Sequence, residues 1–173
     1  LRREVPWRRT PVGVKVAIAT SAILLVLGAL GIGASEAYGV LDDLSPGEQA
    51  LNATFTSVVS RSAGFNTLDM TRLAPPTLFM VLLLMFVGGS PGSTAGGIKT
   101  NTLAVLLATL RGELRGREPE LFGRAIDPRT IRRAVTVAAL SLGFTAMVVL
   151  VLIALEPEQG FLPLAFETVS AIA

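Results

Sequence analysis

Two short stretches of small and polar residues hold the chemistry open to this sequence, and both would perform it through the backbone. The first is SRSAGFNT, Ser60 to Thr67, centred on Gly64. An extended backbone there can turn carbonyl oxygens toward an axis and replace the hydration shell of an alkali cation, as the carbonyl rings of selectivity filters do. Gly64 admits a conformation or a close approach that a Cβ forbids. The same residues are equally compatible with an outer turn, for which Asn66 and Asp69 are suitable. The second stretch is GGSPGSTAGGIK, Gly88 to Lys99, with five glycines and a proline in twelve positions. That composition breaks a helix, the glycines through backbone entropy and the proline through its missing N–H and its ring.

Side-chain chemistry is largely excluded. The 173 residues include no cysteine and no histidine, which removes disulfide frameworks, thiol and imidazole nucleophiles, and nearly every zinc, haem or iron–sulfur site. The string GSTAGGIKT approaches the phosphate-binding pattern G-x-x-x-x-G-K-[ST], but Ile98 separates the glycine from Lys99 and no hydrophilic strand-and-helix nucleotide domain surrounds it. No carboxylate pair is placed for hydrolysis, so the expected protein is not an enzyme.

The elements that must position these stretches are apolar helices. Hydrophobic residues make up 51% of the chain, and thirteen of its fifteen cations are Arg, clustered beside apolar runs. Membrane topology accounts for that clustering better than nucleic acid does. Uncharged runs from Val16 to Ser35 and from Ala134 to Leu155 each match the roughly 30 Å hydrocarbon layer as helices. From Leu73 to Leu110 the only charge is Lys99. As one straight helix that run would reach about 57 Å, more than a bilayer needs. The reading is therefore two helical halves joined by irregular backbone at membrane depth, tolerated only where protein or a water-filled cavity satisfies its polar groups. Ser45-Pro46-Gly47-Glu48 is a helix start, and a helix to about Ser60 would be too short to cross comfortably. The segment beginning FLPLAFETVSAIA after Gly160 starts another.

Charge sets the expected orientation. Residues 1 to 15 carry Arg2, Arg3, Arg8, Arg9 and Lys15 against Glu4, and residues 111 to 133 carry seven Arg; both read as cytoplasmic. Glu36, Asp42, Asp43 and Glu48, and later Glu156, Glu158 and Glu167, read as external. The count closes with three crossings if the segment from 46 to about 70 enters and returns to the same side. The acidic group would then raise the cation concentration at an outer mouth. Residues 134 to 155 and onward repeat the order of helix, outer turn and half-helix, with Phe166 to Ser170 set against Phe55 to Val59. The chain starts at Leu1 and stops inside an apolar run, and is read as a fragment; no signal peptide is evident.

SRSAGFNTLD at 60 to 69 together with MFVGGSPGSTAGGIKTNT at 85 to 102 resembles the potassium-uptake superfamily of TrkH, KtrB and plant HKT proteins, most closely in its KtrB form. The second motif is long and specific, and the resemblance covers essentially the whole chain. It implies an all-α integral membrane fold of helix, re-entrant pore helix and helix repeats. This chain would hold a basic cytoplasmic segment at 1–11 and the third repeat at 12–110, comprising helix 12–35, pore helix 45–60, filter 61–67 and broken helix 72–110. A cytoplasmic Arg-rich loop at 111–133 and the start of a fourth repeat at 134–173 would follow. Ser62, Ala63, Gly64, Phe65 and Asn66 fall on the filter strand, with the carbonyls of Ser62, Ala63 and Gly64 as K⁺ ligands. Gly88, Gly89, Ser90, Gly92, Ser93, Thr94, Gly96, Gly97 and Lys99 fall on a gating loop.

The implied function is that of a monovalent cation transporter, the pore subunit of a Ktr/Trk-type uptake system in a prokaryotic inner membrane. The resemblance implies K⁺ as cargo with no cofactor on this chain, a homodimer among membrane lipids, and a cytosolic nucleotide-binding regulatory subunit of KtrA or TrkA type. No nucleic-acid partner is expected. Plainer readings stand beside these. Single glycines serve helix packing, Lys99 can snorkel to the interface, and Arg61 must point away from a cation path or pair with a carboxylate such as Asp69. The competing function is a coupled secondary transporter of Na⁺ or another small solute, with the broken helix as its binding site.

Overall fold

The computed structural model describes residues 10–61, 67–93 and 95–172. Its helices are α1 (Val12–Glu36), α2 (Pro46–Val59), α3 (Pro75–Phe86), α4 (Thr100–Arg115), α5 (Pro128–Leu155) and α6 (Phe161–Ile172), with a 3₁₀ turn at Met70–Arg72. A hairpin of β1 (Glu120–Leu121) and β2 (Arg124–Ala125) joins α4 to α5. Against the expected all-α fold this hairpin is an addition. Its tip, Phe122 and Gly123, has both φ angles positive, at 52° and 71°, the twist required of a two-residue connection between antiparallel strands.

Only α1 and α5 are long and apolar enough, among the described helices, to cross a membrane. At 25 and 28 residues they extend about 37 and 42 Å. α5 leaves Leu140, Leu142, Phe144, Met147 and Leu150 exposed among the described residues; water would penalise so large an apolar face, whereas lipid or neighbouring helices would not. α5 begins ahead of the uncharged run because Asp127 caps it, its Oδ1 accepting from the Arg129 amide at 2.7 Å, and Pro128 occupies the first turn.

α2 is held at its start by a reciprocal cap. The Ser45 amide and hydroxyl donate to Glu48 Oε2 at 2.9 and 2.7 Å, and the Glu48 amide reaches the Ser45 hydroxyl at 3.5 Å. The Ser45 hydroxyl and amide hold the exposed Glu48 carboxyl below its ordinary range. The helix then packs along α1 at Gly28, where a Cβ would lie 2.3 Å from Ser57 Oγ and 2.7 Å from Leu84 Cδ1 of α3. That absence of side chain lets three helices meet, and Ser57 Oγ donates across the contact to the Leu25 carbonyl at 2.9 Å.

Ile32, Leu41, Ala53, Leu68, Leu73, Val81 and Leu84 form the buried core, with Phe166 of α6 packed against it. The succession of a long helix, a turn and a short helix thus occurs twice, as α1 with α2 and as α5 with α6.

Candidate functional site

The site is framed by the end of α2, the return of the chain to α3, and the connection from α3 to α4. At the end of α2 the Ser60 amide donates to the Thr56 carbonyl at 3.0 Å and the Arg61 amide to the Val58 carbonyl at 3.3 Å. Ser62, Ala63, Gly64, Phe65 and Asn66, the expected filter strand, lie outside the described residues. Beyond them Leu68 and Leu73 are buried in the core, and the Ala74 amide donates to Glu36 Oε1 at 2.9 Å. Glu36 Oε2 accepts from the Val40 amide at 3.2 Å.

Glu36 is 1% exposed. It is therefore not one of the outer-mouth charges it was expected to be, while Asp42, Asp43 and Glu48 are exposed. Its carboxyl group ties the C-terminal end of α1 to the start of α3 and satisfies an amide left without an intrahelical partner. A charge at the end of an apolar run gives no sign of this, because the two amides it serves are brought to it by the fold.

From α3 to α4, residues 87–93 and 95–99 are non-helical. The chain leaves α3 after Phe86, and the Ile98 amide comes back to donate to the Phe86 carbonyl at 2.9 Å; the Thr100 amide donates to the Gly89 carbonyl at 3.2 Å. The two limbs lie so close that a Cβ on Gly88 would stand 1.8 Å from the Gly96 carbonyl oxygen. Gly97 has φ +65° and faces the Phe86 carbonyl at 2.4 Å from where a Cβ would be; both constraints require glycine. Ser90 to Ser93 form the outer turn, closed by the Ser93 amide on the Ser90 carbonyl at 3.0 Å, with Gly92 and Ser93 exposed at its tip and Gly88, Ala95 and Ile98 buried at its base. Thr94 lies outside the described residues.

Lys99 folds back over this turn. Its Nζ donates to the Ser93 carbonyl at 3.2 Å and to the Ala95 carbonyl, so the half-buried ammonium is engaged with loop oxygens rather than simply extended toward an interface.

Arg61 joins the two stretches. Its guanidinium donates to the Ser21 carbonyl at 3.4 Å, the Ser21 hydroxyl at 3.3 Å and the Gly88 carbonyl at 3.4 Å. Among the described residues its oxygen partners lie on α1 and on the loop, at separations of 40 and 27 residues that no local pattern reports.

Two helices long and apolar enough to cross a membrane, with a glycine-bound interruption between two shorter helices, are consistent with a helical membrane transporter. The family model described as TrkH, cation transport protein, matches residues 12–173, and the chain belongs to that family. It is 34% identical over 91% of its length to the potassium/sodium uptake protein NtpJ of Enterococcus hirae. It is 34% identical over 91% to the Ktr system potassium uptake protein D of Bacillus subtilis, and 30% over 92% to the Ktr system potassium uptake protein B of Vibrio alginolyticus. The chain spans about a third of these relatives, 36%, 35% and 35% of their respective lengths. These relatives are transport proteins by name.

Proposed function

We propose that this chain is part of the pore subunit of a Ktr/Trk-type uptake system that carries K⁺ inward across a prokaryotic plasma membrane, multi-pass and without a cofactor of its own. Residues 12–110 are the third repeat of the pore and residues 134–173 the start of the fourth. α1 and α5 cross, α2 is a re-entrant pore helix, and α3 with α4 are the halves of one interrupted membrane element. Ser62 to Asn66 supply the filter strand, with the carbonyls of Ser62, Ala63 and Gly64 as ligands for the dehydrated cation. The C-terminal end of α2, carrying partial negative charge, leads into that strand, which suits a cation and not an anion.

The observation that carries the reading is the connection between α3 and α4. Several of its described amides and carbonyls pair with its own limbs and with Lys99, which favours irregular backbone at this depth between α3 and α4. We assign it as the gate. In this reading the limbs through Gly88, Gly89, Ser90, Gly92, Ser93, Thr94, Gly96 and Gly97 block the pathway beneath the filter, and Lys99 holds them folded. A homodimer and a cytosolic nucleotide-binding regulator, facing the Arg-rich segment between α4 and α5, complete the assembly; the naming of the Ktr relatives as proteins of a system supports a partner.

The test is growth of a potassium-uptake-deficient bacterium on limiting K⁺, expressing the full-length parent protein with its cytosolic partner, with Rb⁺ uptake followed in parallel. Rescue with Rb⁺ uptake is expected. Failure of both, with the protein present in the membrane, would overturn the assignment.

A further inference from the structure

Arg61 carries a formal charge on a half-buried side chain whose guanidinium lies against neutral oxygens of α1 and of the α3–α4 connection. Such a side chain persists only with defined partners. Among the described residues these belong to two other elements: Ser21 in the body of α1, and the Gly88 carbonyl at the entrance of the α3–α4 connection. Gly88 lies just past the C-cap of α3 at Val87. Its carbonyl therefore has no continuing helical turn to accept from, and it sits at the negative end of that helix. The guanidinium supplies the missing donor at the place where a cation is most favourable. Arg61 itself stands two residues beyond the end of α2, immediately before the residues assigned to the filter.

The strength of this tie matters as much as its position. All three bonds measure 3.3 to 3.4 Å, long for N–H to oxygen, and the buried Nε of Arg61 has no partner among the described residues. Bonds of this length suit a contact that is made and broken. By contrast, the base of the connection is fixed by the shorter Ile98 to Phe86 bond at 2.9 Å.

We propose that Arg61 is a positioning residue that latches the α3–α4 connection to the end of the pore helix, so that withdrawal of the connection from the pathway requires breaking its bond to the Gly88 carbonyl. This rests on the filter and gate reading above. The latch favours the closed arrangement, and its loss raises flux without touching the ligands of the ion.

The experiment measures Rb⁺ and Na⁺ influx into proteoliposomes containing the full-length parent, Arg61→Gln, Arg61→Lys and Ser21→Ala, each alone and combined with deletion of residues 90 to 95. Arg61→Gln is expected to raise Rb⁺ influx at least about fivefold, the low end of ordinary coupling between two states. Arg61→Lys should fall between the parent and Arg61→Gln, since a point charge keeps attraction without the fork. Ser21→Ala, which keeps the charge and removes one acceptor, should give a smaller rise in the same direction. The Rb⁺/Na⁺ ratio should stay at the parent value, and the deletion should abolish any further effect of Arg61→Gln.

A changed ratio, or an Arg61→Gln effect that persists in the deleted protein, would place the residue in filter support and overturn the latch. If the Arg61 variants do not reach the membrane at parent abundance, Ser21→Ala decides: unchanged influx overturns the proposal and a rise sustains it. A parent protein that passes no Rb⁺ overturns the function first and the latch with it, whereas Rb⁺ flux in the parent with no response to any of these variants overturns the latch alone.

Discussion

Replacing Gly88 by alanine adds one methyl group at the tightest point of the α3–α4 connection. The new Cβ would lie 1.8 Å from the Gly96 carbonyl oxygen, where ordinary contact begins at 3.4 Å, so the two limbs must part by about 1.6 Å. Backbone, not a flexible side chain, is what has to move, and overpacking of this kind costs about 1–3 kcal/mol. The limbs are joined across this point by the Ile98 to Phe86 and Thr100 to Gly89 hydrogen bonds, and separation strains both. If the connection blocks the pathway, the penalty falls on the blocked arrangement and is relieved when the connection withdraws. The expected result is a rise in Rb⁺ influx of roughly 5- to 150-fold, the range that 1–3 kcal/mol of bias supports. The assay is Rb⁺ uptake by cells expressing the full-length parent or the variant, corrected for membrane abundance, with Gly47→Ala as control because a Cβ there meets nothing within 4 Å. Parent-like influx from equally abundant Gly88→Ala protein would refute the reasoning, since it would mean that this close approach has no bearing on flux.

Four further outcomes are expected. Gly28→Leu forces side-chain atoms into Ser57 and Leu84 and should destabilise the α1–α2–α3 contact by about 1–3 kcal/mol, read as lower membrane abundance and a lower melting temperature in detergent. Glu36→Leu leaves the Val40 and Ala74 amides without their acceptor and should cost about 1–3 kcal/mol for each buried donor left unpaired; Glu36→Gln, which keeps one acceptor oxygen, should melt between the two. Lys99→Ala removes the bonds to the Ser93 and Ala95 carbonyls and should raise Rb⁺ influx, an unchanged value counting against a role in holding the loop. The Glu48 carboxyl is depressed by the Ser45 hydroxyl and amide, so its contribution is complete above the unfolded carboxylate value, about 4.3, and is lost as pH falls through the folded value; Ser45→Ala should flatten that acid-side decline in melting temperature.

How far the sequence alone reached can be argued residue by residue. The start of α2 was legible because Ser45, Pro46 and Glu48 stand at the spacing of a reciprocal cap, a local pattern that needs no tertiary partner. The interruption between α3 and α4 was legible because glycine density and Pro91 act on the backbone directly. The start of α5 lies ahead of the expected one: Arg132 and Arg133 bounded the uncharged span at Ala134, whereas Asp127 and Pro128 begin the helix. The hairpin at 120–125 was not foreseen, since its strands are two residues each and its tip puts Phe122, not asparagine or aspartate, at positive φ. Of the site, the sequence singled out the two stretches but not the contact between them. Arg61, Ser21 and Gly88 meet only after α1, α2 and α3 have packed, and the burial of Glu36 likewise depends on the fold bringing Ala74 to it.

The central claim is that the segment after α2 lines a cation pathway. Its most direct test is Rb⁺ influx into proteoliposomes containing the purified full-length parent or the Gly64→Asp variant, matched for reconstituted protein. Saturable influx in the parent that is abolished or loses its preference over Na⁺ in the variant is the predicted result. Equal, equally selective influx from both would contradict it.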